Sequence, residues 1–218
     1  LTWETNVIGT MNLLEGLRKL NNKCCAIIIT SDKCYYNQEW IWGYKETDIL
    51  GGKDPYSASK ASAENVIYSY INSFFNHPQN KIRIASARAG NVIGGGDWSE
   101  DRIVPDSMRS WIKNKKVLIK NPLSTRPWQH VLEPLGGYIH LAQLLHKNKN
   151  LHGESFNFGP PLSQNKTVLD IVKEFSKHFD NSEWAIPKTK SKKFFESNLL
   201  KLNCEKAFQY LKWGPVLD

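Results

Sequence analysis

The chain has 218 residues, 40% of them hydrophobic and 23% charged, with a net charge of +8, which suits one large globular domain or one domain with a lobe. No apolar run approaches the roughly 20 residues that span a bilayer, and no signal-peptide pattern opens the chain, so a cytoplasmic protein is expected. The four cysteines (Cys24, Cys25, Cys34, Cys204) form no CxxC pair and read as reduced thiols, and the one basic cluster (Lys188, Lys190, Lys192, Lys193) lacks a nucleic-acid signature, which favours an anionic small substrate or a solvated face.

Val7, Met11 and Leu14 recur at helical spacing, with Leu13, Leu17 and Leu20 alongside. They predict a helix over residues 3–20 that is buried on a wide face. Residues 24–30 form a continuous apolar run with β-branched members, the pattern of a strand covered on both sides. A long loop rich in Trp, Tyr, Gly and Asp follows. Asp54 as N-cap and Pro55 in the first turn open a helix that should run to Phe75. A strand is expected at 81–87, a glycine loop at Gly94–Gly95–Gly96, and a helix at 105–113. The remaining expectations are a strand at 117–119, a helix at 133–145, a strand at 155–158, and helices at 168–179 and 199–211. This alternation predicts an α/β fold with a mostly parallel sheet and helices on both faces, followed by a smaller mixed lobe.

Tyr56 and Lys60 lie four apart and so share one helix face. An ammonium beside a phenol favours phenolate, which would make Tyr56 a base able to take a hydroxyl proton while hydride leaves the same carbon. Thr30-Ser31-Asp32-Lys33 ends one expected strand and Arg88-Ala89-Gly90-Asn91 the next. Both should meet Tyr56 and Lys60 at the carboxyl edge of the sheet, where ligands of doubly wound folds sit. On their own residues, Asp32 can equally cap the turn, Lys33 can be structural or hold a phosphate, and Asn91 can take up a tight turn. The other histidines (His77, His140, His146, His152, His178) show no metal-ligand grouping, and no metal is expected.

The order Asn6-Val7-x-Gly9-Thr10, Thr30-Ser31-Asp32, Tyr56-x-x-x-Lys60 and Gly90-Asn91-Val92-x-Gly94 resembles the extended short-chain dehydrogenase/reductases that act on nucleotide sugars, the NAD-dependent epimerase/dehydratase family. SDKCY (31–35), WGYKE (42–46), DPYSASK (54–60), RAGNVIGGGDW (88–98) and RPWQHVLEPL (126–135) are similar to its 4,6-dehydratase branch acting on CDP-glucose. LKLNCEKA (200–207) and Trp213-Gly214-Pro215 fit the family's C-terminal lobe. The resemblance implies a Rossmann-like fold in which residues 1–93 belong to the NAD domain and 94–218 mainly to the nucleotide-sugar lobe, with segments near 128–158 returning to the former. It implies Ser31, Asp32, Lys33, Tyr56 and Lys60 as catalytic residues, with Tyr56, Lys60 and Ala89 at the NAD cofactor. Asn91, Arg102, Arg126 and His130 would meet the substrate, although His130 also suits a turn-forming role.

In this reading Tyr56, with Lys60 and Ser31, deprotonates the sugar 4-hydroxyl, and Asp32 protonates the departing 6-hydroxyl. Lys33 stands where related dTDP-sugar enzymes carry a Glu as C5 base. A homodimer or higher homo-oligomer is implied through the helix bearing Tyr56 and the one before it; Val66, Ile67, Tyr70, Phe74, Val7 and Met11 suit such a contact and equally suit packing against the sheet. No GxxGxxG fingerprint occurs, and Leu1 opens the sequence in place of Met. The expectation is a fragment preceded by about 100 residues of Rossmann sheet, inactive alone.

Overall fold

A computed structural model describes residues 1–164, 166–187 and 199–217. The lysine cluster at 188–193 lies outside them. The main sheet has three parallel strands in the order β1 (Cys24–Ile29), β2 (Ile82–Ala89) and β6 (Ser155–Phe158). Cys24 is in register with Ile82 and Ile29 with Ala87, while Ser86 through Ala89 pair with Ser155 through Phe158. Parallel neighbours require crossovers. Helix α2 (Pro55–Tyr70, continued by a π turn Ile71–Phe75) makes the first, and α4 (Leu132–Lys147) lies within the second.

Alternation along β2 sorts the two faces. Ala85, Ala87 and Ala89 look toward α4, where Leu141, Leu145, Phe156, Phe158 and Trp213 close a core. On the other face Ile82 and Ile84 pack with Ile28, Leu14, Leu17, Ile67 and Phe75. Of the two roles open to Ile67, a helix–helix contact or packing against the sheet, it takes the second. That second face turns polar at Ser86 and Arg88, near the carboxyl end, where both are nonetheless buried.

A second core holds the lobe together. Helix α3 (Ile103–Ile112) and helix α5 (Val168–Ser176) pack with two short parallel strands, β4 (Val117–Leu118) and β7 (Trp184–Ala185), around Trp111, Ile119, Trp128 and Val172. A further parallel pair, β3 (Val92–Ile93) and β5 (Gln129–His130), links the segment after β2 to the start of α4.

Three expectations are corrected. The first helix comprises a π turn (Glu4–Ile8) and α1 (Gly9–Arg18), and it buries Leu14 and Leu17 alone. Leu13 and Leu20 are exposed, because α1 meets the molecule along one narrow seam with α2 and β1 rather than across a wide face. Strand β1 is covered less completely than a continuous apolar run suggests, with most of its residues half-buried and Ile29 exposed, since among the described residues it forms the edge of the three-stranded sheet. The final helix, α6, spans only Glu205–Leu211. Leu200 and Leu202 lie instead in an extended stretch bonded to Tyr44 on both sides, with Tyr44 N donating to Lys201 O and Asn203 N to Tyr44 O. Asn203 Oδ1 then accepts from Glu205 N and starts the helix.

Adjacent glycines of α4 offer a test of this packing. A Cβ on Gly137 would collide with the Phe158 ring and crowd Trp213 Nε1, whereas one on Gly136 meets nothing. Gly137→Ala is expected to cost about 1–2 kcal/mol net, overpacking outweighing the gain in helix propensity. Gly136→Ala is expected to stabilise by about 0.4–1 kcal/mol. Urea denaturation of the two variants checks both signs.

Candidate active site

The carboxyl ends of β1 and β2 and the start of α2 meet at one edge. After Ile29 the chain turns through Ser31 into a 3-10 turn, Asp32–Cys34, capped by Ser31 Oγ, which accepts from Lys33 N at 3.2 Å. Ser31 Oγ–H donates to Asp32 Oδ1 at 3.0 Å, and Ser31 lies near enough to the Tyr56 phenol to favour its ionised form. Three expected residues thus share one neighbourhood, with Ser31 and Asp32 in direct contact. Asp32 is 3% exposed, and its Oδ2 meets no donor among the described residues. Burial raises its pKa above the ordinary carboxylate value, against the opposing pull of Lys33, Ser31 and Arg126. Arg126, itself buried, therefore lies within electrostatic reach of Asp32.

Helix α2 starts where the sequence places it. Asp54 Oδ1 accepts from Tyr56 N and Ser57 N, both at 3.0 Å, and Oδ2 accepts from Ser57 Oγ at 2.6 Å. Gly52 lies so close to Ser57 and Ala58 that any Cβ there would strike the helix backbone. Tyr56 remains 43% exposed. Asn6, in the π turn before α1, donates to Ser59 Oγ at 2.9 Å, and Ser59 Oγ–H donates to Tyr56 O at 2.7 Å. The sequence reading quoted Asn6 as part of a motif and gave it no place at the site. A π turn in an otherwise regular helix is a recurrent mark of functional positions.

One electrostatic expectation is overturned. The Tyr56 phenol is held above its ordinary pKa by burial, with the Asp32 charge adding to the effect and Ser31 and Arg102 opposing it. The Lys60 ammonium stands 6.0 Å from the centre of the Tyr56 ring, too far to outweigh desolvation. Lys60 is itself lowered by burial, with Cys34 and Glu64 acting in the opposite direction.

The remaining candidates lie along the segments that flank this edge. Ala89 ends β2, and its side chain faces the α4 core. Asn91 O accepts from Gln129 N at 3.0 Å, and a Cβ on Gly90 would strike Pro127, so this stretch runs tightly against residues 127–131. Arg102 is exposed, pairs with Asp97 at 3.4 Å, and its charge reaches Tyr56. His130 is exposed and accepts from Leu132 N at 3.3 Å, which fixes the turn into α4. Lys33 is half-buried beside Asp32.

A cavity of about 10 Å³ adjoins Asp32, lined among others by Lys33, Asn37 and Gly52. It is the size of one water and too small for an organic ligand. A larger cleft of about 200 Å³ touches Glu64, Ser86, Arg88 and Ser155, but those polar groups bond one another. Among the described residues no group of His, Cys, Asp or Glu is placed to hold a metal, and no helix is long and apolar enough to cross a membrane.

The family model described as GDP-mannose 4,6 dehydratase matches residues 1–218. CDP-glucose 4,6-dehydratase of Salmonella typhimurium is 48% identical over 218 residues, covering 98% of this chain and 60% of that protein. dTDP-D-glucose 4,6-dehydratase of Dictyostelium discoideum is 32% identical over 53% of this chain and 27% of its own. Among solved structures, dTDP-glucose 4,6-dehydratase of Bacillus anthracis in complex with NAD superposes with a TM-score of 0.79 at 22% identity, covering 98% of this chain and 63% of that one. UDP-glucuronic acid 4-epimerase of Bacillus cereus, with UDP-glucuronic acid and NAD, gives 0.79 at 20%, covering 99% and 64%. These two structures establish the Rossmann-type fold, and the chain spans less than two thirds of each of these four proteins.

Proposed function

The chain belongs to the GDP-mannose 4,6 dehydratase family, and from that premise we propose that it carries the proton-transfer machinery of an NAD-dependent 4,6-dehydratase acting on CDP-glucose. The observation that carries this reading is the buried Asp32, a carboxyl kept protonatable by burial, bonded to Ser31 and close to the exposed Tyr56. An epimerase of the same fold has no step that needs an acid there.

Tyr56, through Ser31, takes the proton of the sugar 4-hydroxyl as C4 is oxidised. Asp32 gives its proton to the 6-hydroxyl as it leaves as water, and Lys33 removes the C5 proton in the same elimination. Lys33, neutral when it acts, then returns its proton to C5, and the proton taken up by Tyr56 passes by way of solvent to re-protonate Asp32, so all three groups recover their starting states. Bound NAD would accept the hydride from C4 and return it to C6, so the net change is loss of one water. Tyr56 and Lys60, on α2 beside the carboxyl edge of the sheet, would meet the nicotinamide end of the cofactor, with the backbone of Ala89 at the end of β2 bordering it. Arg126 and Arg102 suit the substrate diphosphate, since guanidinium forks match paired phosphate oxygens. Asn91 and His130 border the same side.

In this reading residues 1–93 are part of the cofactor domain and 94–218 mainly the substrate lobe, with 128–158 returning to the former. The enzyme works in the cytoplasm as a homo-oligomer, supplying a 4-keto-6-deoxy sugar for dideoxysugars of surface polysaccharide. The test incubates the full-length gene product and NAD separately with CDP-glucose, dTDP-glucose, UDP-glucose and GDP-mannose and follows mass. Loss of one water from CDP-glucose is expected. A product of unchanged mass with an inverted centre would replace the dehydratase reading with an epimerase.

A further inference from the structure

Glu64 lies on α2 one turn beyond Lys60 and is 3% exposed. Its carboxylate receives Thr30 Oγ1–H, Ser86 Oγ–H at 2.9 Å, Arg88 Nε–H at 2.9 Å and Arg88 Nη2–H at 2.8 Å. Arg88 spends the rest of its guanidinium on Ser155 Oγ (3.2 Å), Tyr35 Oη (2.8 Å) and Glu46 O (3.2 Å). Five hydrogen bonds thus leave its three nitrogens, the full capacity of the group. Tyr35 Oη–H passes the chain on to the buried Asn157 at 2.7 Å.

Stability alone gives no reason for such a pair. Removing two charges from water costs as much as their attraction returns, and apolar residues of similar volume usually serve as well or better. Its connections are more informative. Thr30 immediately precedes Ser31, and Tyr35 immediately follows the 3-10 turn that holds Asp32 and Lys33. The pair therefore grips both ends of the Ser31–Cys34 segment and ties them to the helix that bears Tyr56 and Lys60.

We propose that Glu64 and Arg88 are positioning residues that set the segment carrying Ser31 and Asp32 against the helix carrying Tyr56 and Lys60. The inference rests on the dehydratase reading for its catalytic consequence, not for its structural one. Bonds from Arg88, Thr30 and Ser86 overcome the burial of Glu64 and bring its pKa below the ordinary value, so the pair is ionised at neutral pH.

The deciding variant is Glu64→Leu with Arg88→Met in the full-length protein, which removes both charges while keeping volume. It is expected to melt at or above the parent temperature. Amide exchange across Ser31–Cys34 and Tyr56–Lys60 should accelerate at least about tenfold while the interior of β2 is unchanged. The kcat should fall by roughly ten- to a hundredfold with KM within about threefold, as expected for displaced catalytic groups. Arg88→Lys, which keeps the charge but not the fork, should not restore kcat. Should the double variant fail to fold, Tyr35→Phe severs only the Arg88–Tyr35–Asn157 link, and it should quicken exchange at Asp32–Cys34 alone. Parental exchange and kcat in a folded double variant would overturn the proposal, as would parental exchange in Tyr35→Phe. If the parent shows no dehydratase turnover, the functional reading fails, and the exchange data still decide the positioning role.

Discussion

Replacing Tyr56 by phenylalanine is expected to lower kcat by roughly 10²–10⁴, the range supplied by a positioned general acid or base. The substitution removes one oxygen from a side chain that is 43% exposed, so stability should change by no more than about 0.5 kcal/mol. KM should move little, because the phenol acts on a proton in transit rather than on the nucleotide that anchors the substrate. The structure also sets the direction of the pH dependence. The phenol is raised by burial and by Asp32, so the fraction ionised grows only toward alkaline pH. A parent kcat that climbs on the alkaline side, and a Tyr56→Phe kcat that is flat there, would identify Tyr56 as the group responsible. Retention of more than about a tenth of parental kcat would place the base elsewhere.

The sequence made the site's neighbourhood legible because its signals are local. Asp54 and Pro55 announce the start of α2 through cap chemistry, and the structure shows both bonds. The apolar run of β1 reads as a strand by composition, and its alternation with helices toward β2 implies a parallel sheet. What escaped depends on contacts between distant segments. Residues 200–202 have apolar members that suit a helix, yet Tyr44, more than 150 positions away, claims their backbone groups. The short strands β3 and β5 carry two residues each and no periodicity to detect. The Glu64–Arg88 pair did leave a trace, since Ile82, Ile84, Ser86 and Arg88 alternate on one face of a strand whose start is core. A charge in phase with buried positions calls for a partner, and Glu64 on the crossover helix was available. The lowered phenol was misjudged because spacing shows adjacency on a helix but not burial, and burial dominates here.

Asp32→Asn separates the chemistry from the fold most sharply. The amide cannot give a proton to the departing 6-hydroxyl, so elimination is expected to slow by roughly 10²–10⁴. Oxidation at C4 depends on Tyr56 and should continue, so reduced nicotinamide accumulates in the first turnover and can be followed by its near-ultraviolet absorbance. Stability should move the opposite way. Burial raises the folded-state pKa of Asp32 above that of the unfolded chain, so between those two values the folded chain holds more protons than the unfolded chain. Stability therefore falls as pH rises through that window, and the loss is complete above the raised pKa. Asparagine has no proton to lose at this position. The variant is thus expected to be more stable than the parent at neutral pH, with the gap closing as pH falls toward the ordinary carboxylate value. Denaturant midpoints at several pH values check it. A variant that is less stable at neutral pH and accumulates no reduced cofactor would mark Asp32 as a structural member of its turn, with the acid to be sought elsewhere. The expected pattern, lower activity with higher stability, is that of a group kept buried against its own solvation because the reaction needs a proton held there.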